Sequence, residues 1–385
     1  MRALLILEDG WTSRCESFTG EGEVFGEIVF NTGMTGYQEI ITDPSYHGQI
    51  VVMTSTMVGN YGIREYEDES PKIYVEGFVV REYSGEDLNP DDVKRLSIPR
   101  AHPFYEGSGD SQSESLHHRV ISNLASYLAA QKVLGVDGVD TRALTKHIRD
   151  KGAMRAGIST KTLEPEMLLS KVVKSPGLVG RNLVREVTAA EPYLYSEGKG
   201  ARIAVLDCGV KISTLRELAK RGCRVEVFPA GAEKSDIMGS RPDGLLISNG
   251  PGDPAPVAEV AELVDELIGE FPIFGICLGH QMIARALGAK TFKLKFGHHG
   301  GNHPVRDERT GKVYITTQNH GFNVAQETLP AEDVELTFIN LNDGTLEGLR
   351  HKKYPVFSVQ FHPEAGPGPH ETRFLFDEFI AMIRK

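Results

Sequence analysis

The chain has 385 residues, 40% apolar and 25% charged, with a formal net charge of −11. That length suggests two domains, each able to bury its own core. The acidic balance and the absence of any Lys/Arg run exclude nucleic acid and anionic membranes as expected partners, and no apolar run nears the length of a bilayer span. The four cysteines, Cys15, Cys208, Cys223 and Cys277, form no Cys-x-x-Cys pair. Neither zinc nor a redox pair is therefore indicated, and the chain reads as intracellular, in a reducing cytoplasmic compartment.

In chain order, Ala3–Leu7 reads as a first strand, cut short by Glu8-Asp9-Gly10 and too brief for a signal peptide. Glu27–Phe30 and Gln49–Met53 are short apolar runs bounded by turn residues, so the amino half reads as β-rich. Asn31-Thr-Gly-Met-Thr-Gly36 is glycine-rich but lacks the Lys-Ser/Thr ending of a phosphate loop, and reads as a tight loop. Residues from about Gly85 to Ser115 are rich in Asp, Glu, Ser, Pro and Gly and read as a surface excursion. Two helices follow, one over roughly His117 to Lys132. The other is capped by Asp140 and ends near Gly152.

The domain boundaries expected are 1–187, a linker over 188–200, and 201–385. After the linker the pattern changes. Strands at Arg202–Asp207, Cys223–Phe228, Gly244–Ser248 and Pro272–Ile276 alternate with helices near Ser213–Arg221, Val257–Gly269 and from His280. This βαβα order predicts an α/β domain, a flavodoxin-like parallel sheet with its site at the carboxyl ends of the strands.

The last of these strands runs straight into Gly275-Ile-Cys277-Leu-Gly279-His280. A lone cysteine is usually a small buried hydrophobe. Here glycines flank it at a strand-to-helix turn, where the helix start favours a thiolate, and this argues for a nucleophile. Such a nucleophile needs a base and an orienting group. Phe357-Ser-Val-Gln-Phe-His362-Pro363-Glu364 offers both, since side chains two apart in an extended strand share a face. Ser248-Asn-Gly250-Pro-Gly252-Asp-Pro254 follows another strand, and its backbone N–H groups could join that of Leu278 in an oxyanion hole; the motif alone fits an ordinary turn equally well.

Together, Cys277 in its turn, His362-Pro-Glu364 and the Asn-Gly-Pro-Gly-Asp-Pro loop resemble a class I (triad) glutamine amidotransferase. Leu7-Glu-Asp-Gly10, Phe30–Glu39, Thr42-Asp-Pro-Ser-Tyr46, Asp140-Thr-Arg142, Gln318-Asn-His-Gly-Phe322 and Phe361–Ala365 narrow the resemblance to the small chain of carbamoyl-phosphate synthetase, over nearly the whole sequence. The resemblance implies that Cys277 attacks the glutamine side-chain amide, that His362 transfers protons and that Glu364 orients it. It further implies that Gly252 and Leu278 donate to the oxyanion. Ser45, Gly250, Gly252, Leu278, Gln281, Asn319, Gly321 and Phe322 match its glutamine-binding positions. It implies a large-subunit partner that carries the ATP and Mg chemistry, with no cofactor on this chain. The amino half is then a mixed, β-rich docking domain. The segment from about Gly85 to His118 is longer than the family's usual pattern. The cluster His298, His299 and His303 sits among glycines with no cysteine or carboxylate within it, and the resemblance implies that this stretch is a loop near the partner, so no metal site is expected there.

Two rivals are weighed. A free-standing hydrolase of the same class would have no use for the amino half. A non-enzymatic scaffold would not require Cys277, His362 and Glu364 together.

Overall fold

The computed structural model describes residues 1–85 and 120–384. They fall into two compact units. The first comprises 1–85, 120–179 and Lys295–His299; the second comprises Gly180–Leu294 and the chain from Gly300 onward. Apart from Gly85, the excursion read over Gly85–Ser115 lies outside the described residues, as does the start of the helix expected from His117.

The first unit is built on a closed barrel. Its strands are β1 (Arg2–Leu7), β2 (Thr12–Ser17), β3 (Glu23–Asn31), β4 (Gln49–Met53), β5 (Gly77–Val79), β6 (Leu134–Asp137) and β7 (Met154–Ser159). They run in the order β1-β7-β3-β4-β5-β6-β2. Alternation divides each strand between two packing surfaces. Along β1, Ala3, Leu5 and Leu7 join a cluster with Ile28, Ile50, Val136 and Ile158. Leu4 and Ile6 pack instead with Leu168 and Val172 of the helix Pro165–Lys174.

The helix Thr141–Lys151 is capped as the sequence indicates: the Asp140 side chain accepts from the Ala143 N–H, and Gly152 ends it at φ 107°. The helix expected over His117–Lys132 is shorter. Val120–Ser122 is a strand paired with Ile63–Arg64, and the helix covers only Leu124–Ala130. The reason is local: Val120 and Ile121 are β-branched, and the Asn123 side chain accepts from the Ser126 N–H, which places the helix start there.

The second unit carries one 10-stranded sheet. Its strands are β8 (Tyr193–Glu197), β9 (Arg202–Asp207), β10 (Arg224–Pro229), β11 (Gly244–Ile247), β12 (Ile273–Ile276), β13 (Thr291–Asp307), β14 (Val313–Val324), β15 (Val334–Asn340), β16 (Leu346–His351) and β17 (Val356–Val359). The order is β8-β10-β9-β11-β12-β17-β16-β15-β13-β14. The run β10-β9-β11-β12-β17 is parallel, as the alternating pattern indicates. The sheet as a whole is mixed, because β8 pairs antiparallel at one side and β16 and β15 extend it antiparallel at the other.

The parallel core is buried on both faces. Ile203 and Val205 of β9 pack with Phe274, Phe376 and Phe379, whereas Ala204 and Leu206 pack with Leu245, Val264 and Ile283 on the opposite face. Each large side chain buried this way contributes about 1.5–3 kcal/mol of transfer free energy.

Two local readings differ from this structure. The stretch read as a linker, 188–200, contains strand β8, and the units divide between Val179 and Gly180. Polar composition concealed the strand because an edge strand needs only partial burial, and all but the last residue of β8 are intermediate in exposure. His298, His299 and His303 lie on strand β13, not in a loop. Their neighbours Gly297 and Gly300 take positive φ, 74° and 143°, so the glycines that suggested a loop serve irregularities within a 17-residue strand.

Candidate active site

Four neighbouring parallel strands, β9, β11, β12 and β17, end at the same edge of the sheet. The segments that follow them, Asp207–Lys211, Ser248–Asp253, Cys277 and Gln360–Glu364, carry most of the candidate residues. This is where an open α/β sheet concentrates its sites.

Cys277 sits between β12 and the helix Leu278–Ala286 at φ 55° and ψ −104°. A non-glycine residue in that region costs about 1–3 kcal/mol and persists only where its surroundings enforce it. Here the Cys277 N–H donates to the Val359 carbonyl at 2.9 Å, and the Gln281 N–H returns to the Cys277 carbonyl at 3.2 Å. The flanking glycines act differently from the sequence reading. The strained residue is the cysteine itself, and the glycines permit close approach. A Cβ on Gly279 would lie 2.2 Å from the Ile247 carbonyl oxygen, and one on Gly275 would lie 2.7 Å from Gly279 backbone atoms. Gly279→Ala should therefore destabilise the chain by about 1–3 kcal/mol or more in chemical denaturation. A variant as stable as the parent would contradict this close approach.

His362 and Glu364 are paired, Nδ1 to Oε1 at 2.7 Å, with both side chains at most 1% exposed. Their route to contact differs from the shared strand face expected. Strand β17 stops at Val359. The pair sits in a turn closed by the Ala365 N–H on the His362 carbonyl at 3.1 Å. Pro363 holds the first turn position, which its fixed φ suits, and Ala365 takes φ 63°.

Burial disfavours a charged His362. The Glu364 carboxylate and then Cys277 outweigh it and raise the imidazole to about 10. Burial would likewise raise Glu364, but Lys211 and His362 hold it down to about 2. The second imidazole nitrogen, Nε2, is buried and lacks a hydrogen bond of normal length.

Lys211 was not singled out by sequence reasoning. Its side chain is 1% exposed; its Nζ lies 3.2 Å from Glu364 Oε1 and donates to the Ala365 carbonyl. Asp207 shapes the turn that delivers it, accepting from the N–H groups of Gly209 at 2.8 Å and Val210 at 2.7 Å. The only signal in the sequence was position: Lys211 follows a parallel strand at the edge where the other groups gather.

The other candidate residues are placed as follows. Gly250 is pressed against the preceding turn, where a Cβ would meet the Cys208 carbonyl oxygen at 2.2 Å. Gly252 follows in the same loop. Leu278 is the first residue of its helix, so its N–H cannot be used within that helix and is a suitable oxyanion donor. Gln281 donates to the Phe322 carbonyl at 2.8 Å. Asn319, Gly321 and Phe322 lie on β14, and the Asn319 carbonyl accepts from Cys277 Sγ at 3.6 Å. A Cβ on Gly321 would meet nothing within 4 Å. The second unit thus gathers Cys277, His362, Glu364, Gln281, Asn319 and Phe322. Ser45 belongs to the first unit, on the turn Pro44–Tyr46, where its N–H is held by Asp43 Oδ1 at 2.9 Å.

Known proteins match both parts of the sequence. Residues 204–382 fit the family described as glutamine amidotransferase class-I. Residues 5–98 and 109–158 fit the CPSase domain of the carbamoyl-phosphate synthase small chain. A carbamoyl phosphate synthase small chain from Syntrophotalea carbinolica is 45% identical over 100% of this chain and 98% of its own length. One from Aquifex aeolicus is 47% identical over 99% of each. One from Methanopyrus kandleri is 47% identical over the full length of both. With matches of this extent at both ends, the chain belongs to the carbamoyl phosphate synthase small-chain family and carries its class I glutamine amidotransferase domain.

Proposed function

We propose that the chain hydrolyses glutamine through a cysteine thioester and supplies the ammonia to a large synthetase subunit that makes carbamoyl phosphate with ATP. The thiolate of Cys277 attacks the side-chain amide carbon of glutamine. The oxyanion that forms is met by the N–H groups of Gly252 and Leu278. His362, protonated beside Glu364, gives its proton to the departing nitrogen, so ammonia leaves and a glutamyl thioester remains. The neutral imidazole then takes a proton from water as it attacks the thioester carbon. Glutamate leaves, and the Cys277–His362 pair is restored. Ser45, Gly250, Gln281, Asn319, Gly321 and Phe322 are the proposed contacts of the substrate glutamine.

The observation that carries this reading is the buried His362–Glu364 pair beside a cysteine held at positive φ on a strand-to-helix turn. The amino-terminal unit is the proposed docking platform for the large subunit, which would hold the ATP and Mg. Carbamoyl phosphate made this way in the cytoplasm serves arginine and pyrimidine synthesis.

Cysteine reactivity tests the nucleophile. Burial pushes the Cys15 thiol up to about 12, with the charge of Asp137 adding to it, and pushes Cys223 up to about 11. Burial also holds Cys208 well above the ordinary thiol range. These three stay protonated and poorly nucleophilic at neutral pH. A glutamine-mimicking electrophile should therefore give one adduct, on Cys277, by peptide mass mapping. An adduct on any of the other three would contradict the assignment.

A further inference from the structure

We propose that Gln360 is a further catalytic residue: its side-chain amide donates to Cys277 Sγ and stabilises the thiolate, with Gln281 fixing its orientation. The proposal rests on the reading of Cys277 as the nucleophile. Gln360 lies in the bend between β17 and His362 and is fully buried. Its Nε2 lies 3.6 Å from Cys277 Sγ, an ordinary length for an N–H donor to sulfur. Its Oε1 accepts from Gln281 Nε2 at 3.0 Å, and that same nitrogen gives its other proton to the Phe322 carbonyl at 2.8 Å. The Gln360 backbone is pinned as well, its N–H on the Glu347 carbonyl at 2.8 Å.

This chain of contacts settles which way the Gln360 amide points. Both Gln281 Nε2 protons are directed at oxygens, so Gln360 must present its oxygen to Gln281 and its NH2 to the sulfur. Two groups thus compete over Sγ. The Asn319 carbonyl, at 3.6 Å, can only accept and favours the protonated thiol. The Gln360 amide can only donate on this side and favours the thiolate. Because the amide neither gains nor loses a proton near neutral pH, it stabilises the anion without competing with His362 for the proton. His362 supplies the charge, and Gln360 supplies a fixed dipole that needs no reorganisation when the sulfur ionises. Gln281, expected from the family resemblance to bind substrate, gains a second task as the clamp of this donor.

The test uses the full chain assembled with its large subunit and the variants Gln360→Met, which keeps the shape without the donor, and Gln360→Glu, which replaces the donor by oxygen. The pH dependence of Cys277 alkylation by iodoacetamide, followed on its own peptide, should shift upward by about one unit or more in Gln360→Met. It should shift further in Gln360→Glu. Glutamine-dependent kcat should fall roughly tenfold to a hundredfold, with KM changed little. Carbamoyl phosphate synthesis from ammonium should not change.

A purely structural role would lower the folded fraction without moving the alkylation midpoint. An unmoved midpoint in a folded variant, or a loss lying wholly in KM, overturns the proposal. Should both variants fail to fold, the wild-type chain decides. The side-chain amide resonances of Gln360 should titrate with Cys277, and amide signals that stay flat through the thiol titration overturn the proposal. Failure of the underlying reading looks different, since a glutamine-mimicking electrophile would then leave Cys277 unlabelled in the wild-type chain.

Discussion

Cys277→Ser, assembled with the large synthetase chain, should lose carbamoyl phosphate synthesis from glutamine by several orders of magnitude and keep synthesis from added ammonium. The expectation follows from two features. The serine hydroxyl is a far weaker nucleophile than a thiol near neutral pH, and an imidazole base cannot ionise it to a comparable degree. In the proposed scheme ammonium bypasses the step assigned to Cys277, since the large subunit needs from this chain only the ammonia it releases. The substitution is nearly isosteric at a residue whose backbone is held by Val359 and Gln281, so the turn should survive it. Steady-state rates with each nitrogen source decide the matter. Loss of both activities in an intact complex would mean that Cys277 does more than release ammonia. Retained glutamine-dependent synthesis would remove it from the nucleophile's role.

The sequence revealed the second unit better than the first, for physical reasons. Strands such as Leu245–Ile247 and Ile273–Ile276 are buried on both faces, so they read as unbroken apolar runs between turn residues. The cysteine turn was visible because its glycines have no Cβ, even though the reason proved to be the close approach of Gly279 to Ile247 and not freedom of φ. Closure of the barrel was not visible. It depends on long-range pairings, such as Leu5 with Ile158 and Ile28 with Ile50, that no local pattern encodes. Lys211 was missed for a related reason. A lysine reads as exposed by default, and its burial makes sense only once Glu364, far along the chain, is beside it. Gln360 stood inside a motif already singled out for His362 and Glu364, yet nothing in the spacing shows that its amide faces the sulfur.

The triad and Lys211 together should separate catalysis from stability. His362→Ala should cut glutamine hydrolysis by about 10²–10⁴-fold, because the proposed scheme has this imidazole move protons in both half-reactions. Glu364→Ala should cost less in rate, since the proposed scheme assigns the carboxylate only to orient and charge the ring. It should cost more in stability, because it removes the carboxylate that lies 3.2 Å from the buried Lys211 ammonium. Removing one member of such a buried pair typically costs about 3–5 kcal/mol. The double variant Glu364→Ala with Lys211→Met removes the buried lysine charge as well as the carboxylate. It should regain much of that stability while recovering none of the lost rate, a coupling that two independent sites would not show. Chemical denaturation of the single and double variants, read beside their glutaminase rates, tests both halves. A Glu364→Ala chain as stable as the wild type, or a double variant less stable than Glu364→Ala, would show that the Lys211–Glu364 pair does not carry this energy. A Glu364→Ala chain slower than His362→Ala would overturn the division of roles between imidazole and carboxylate.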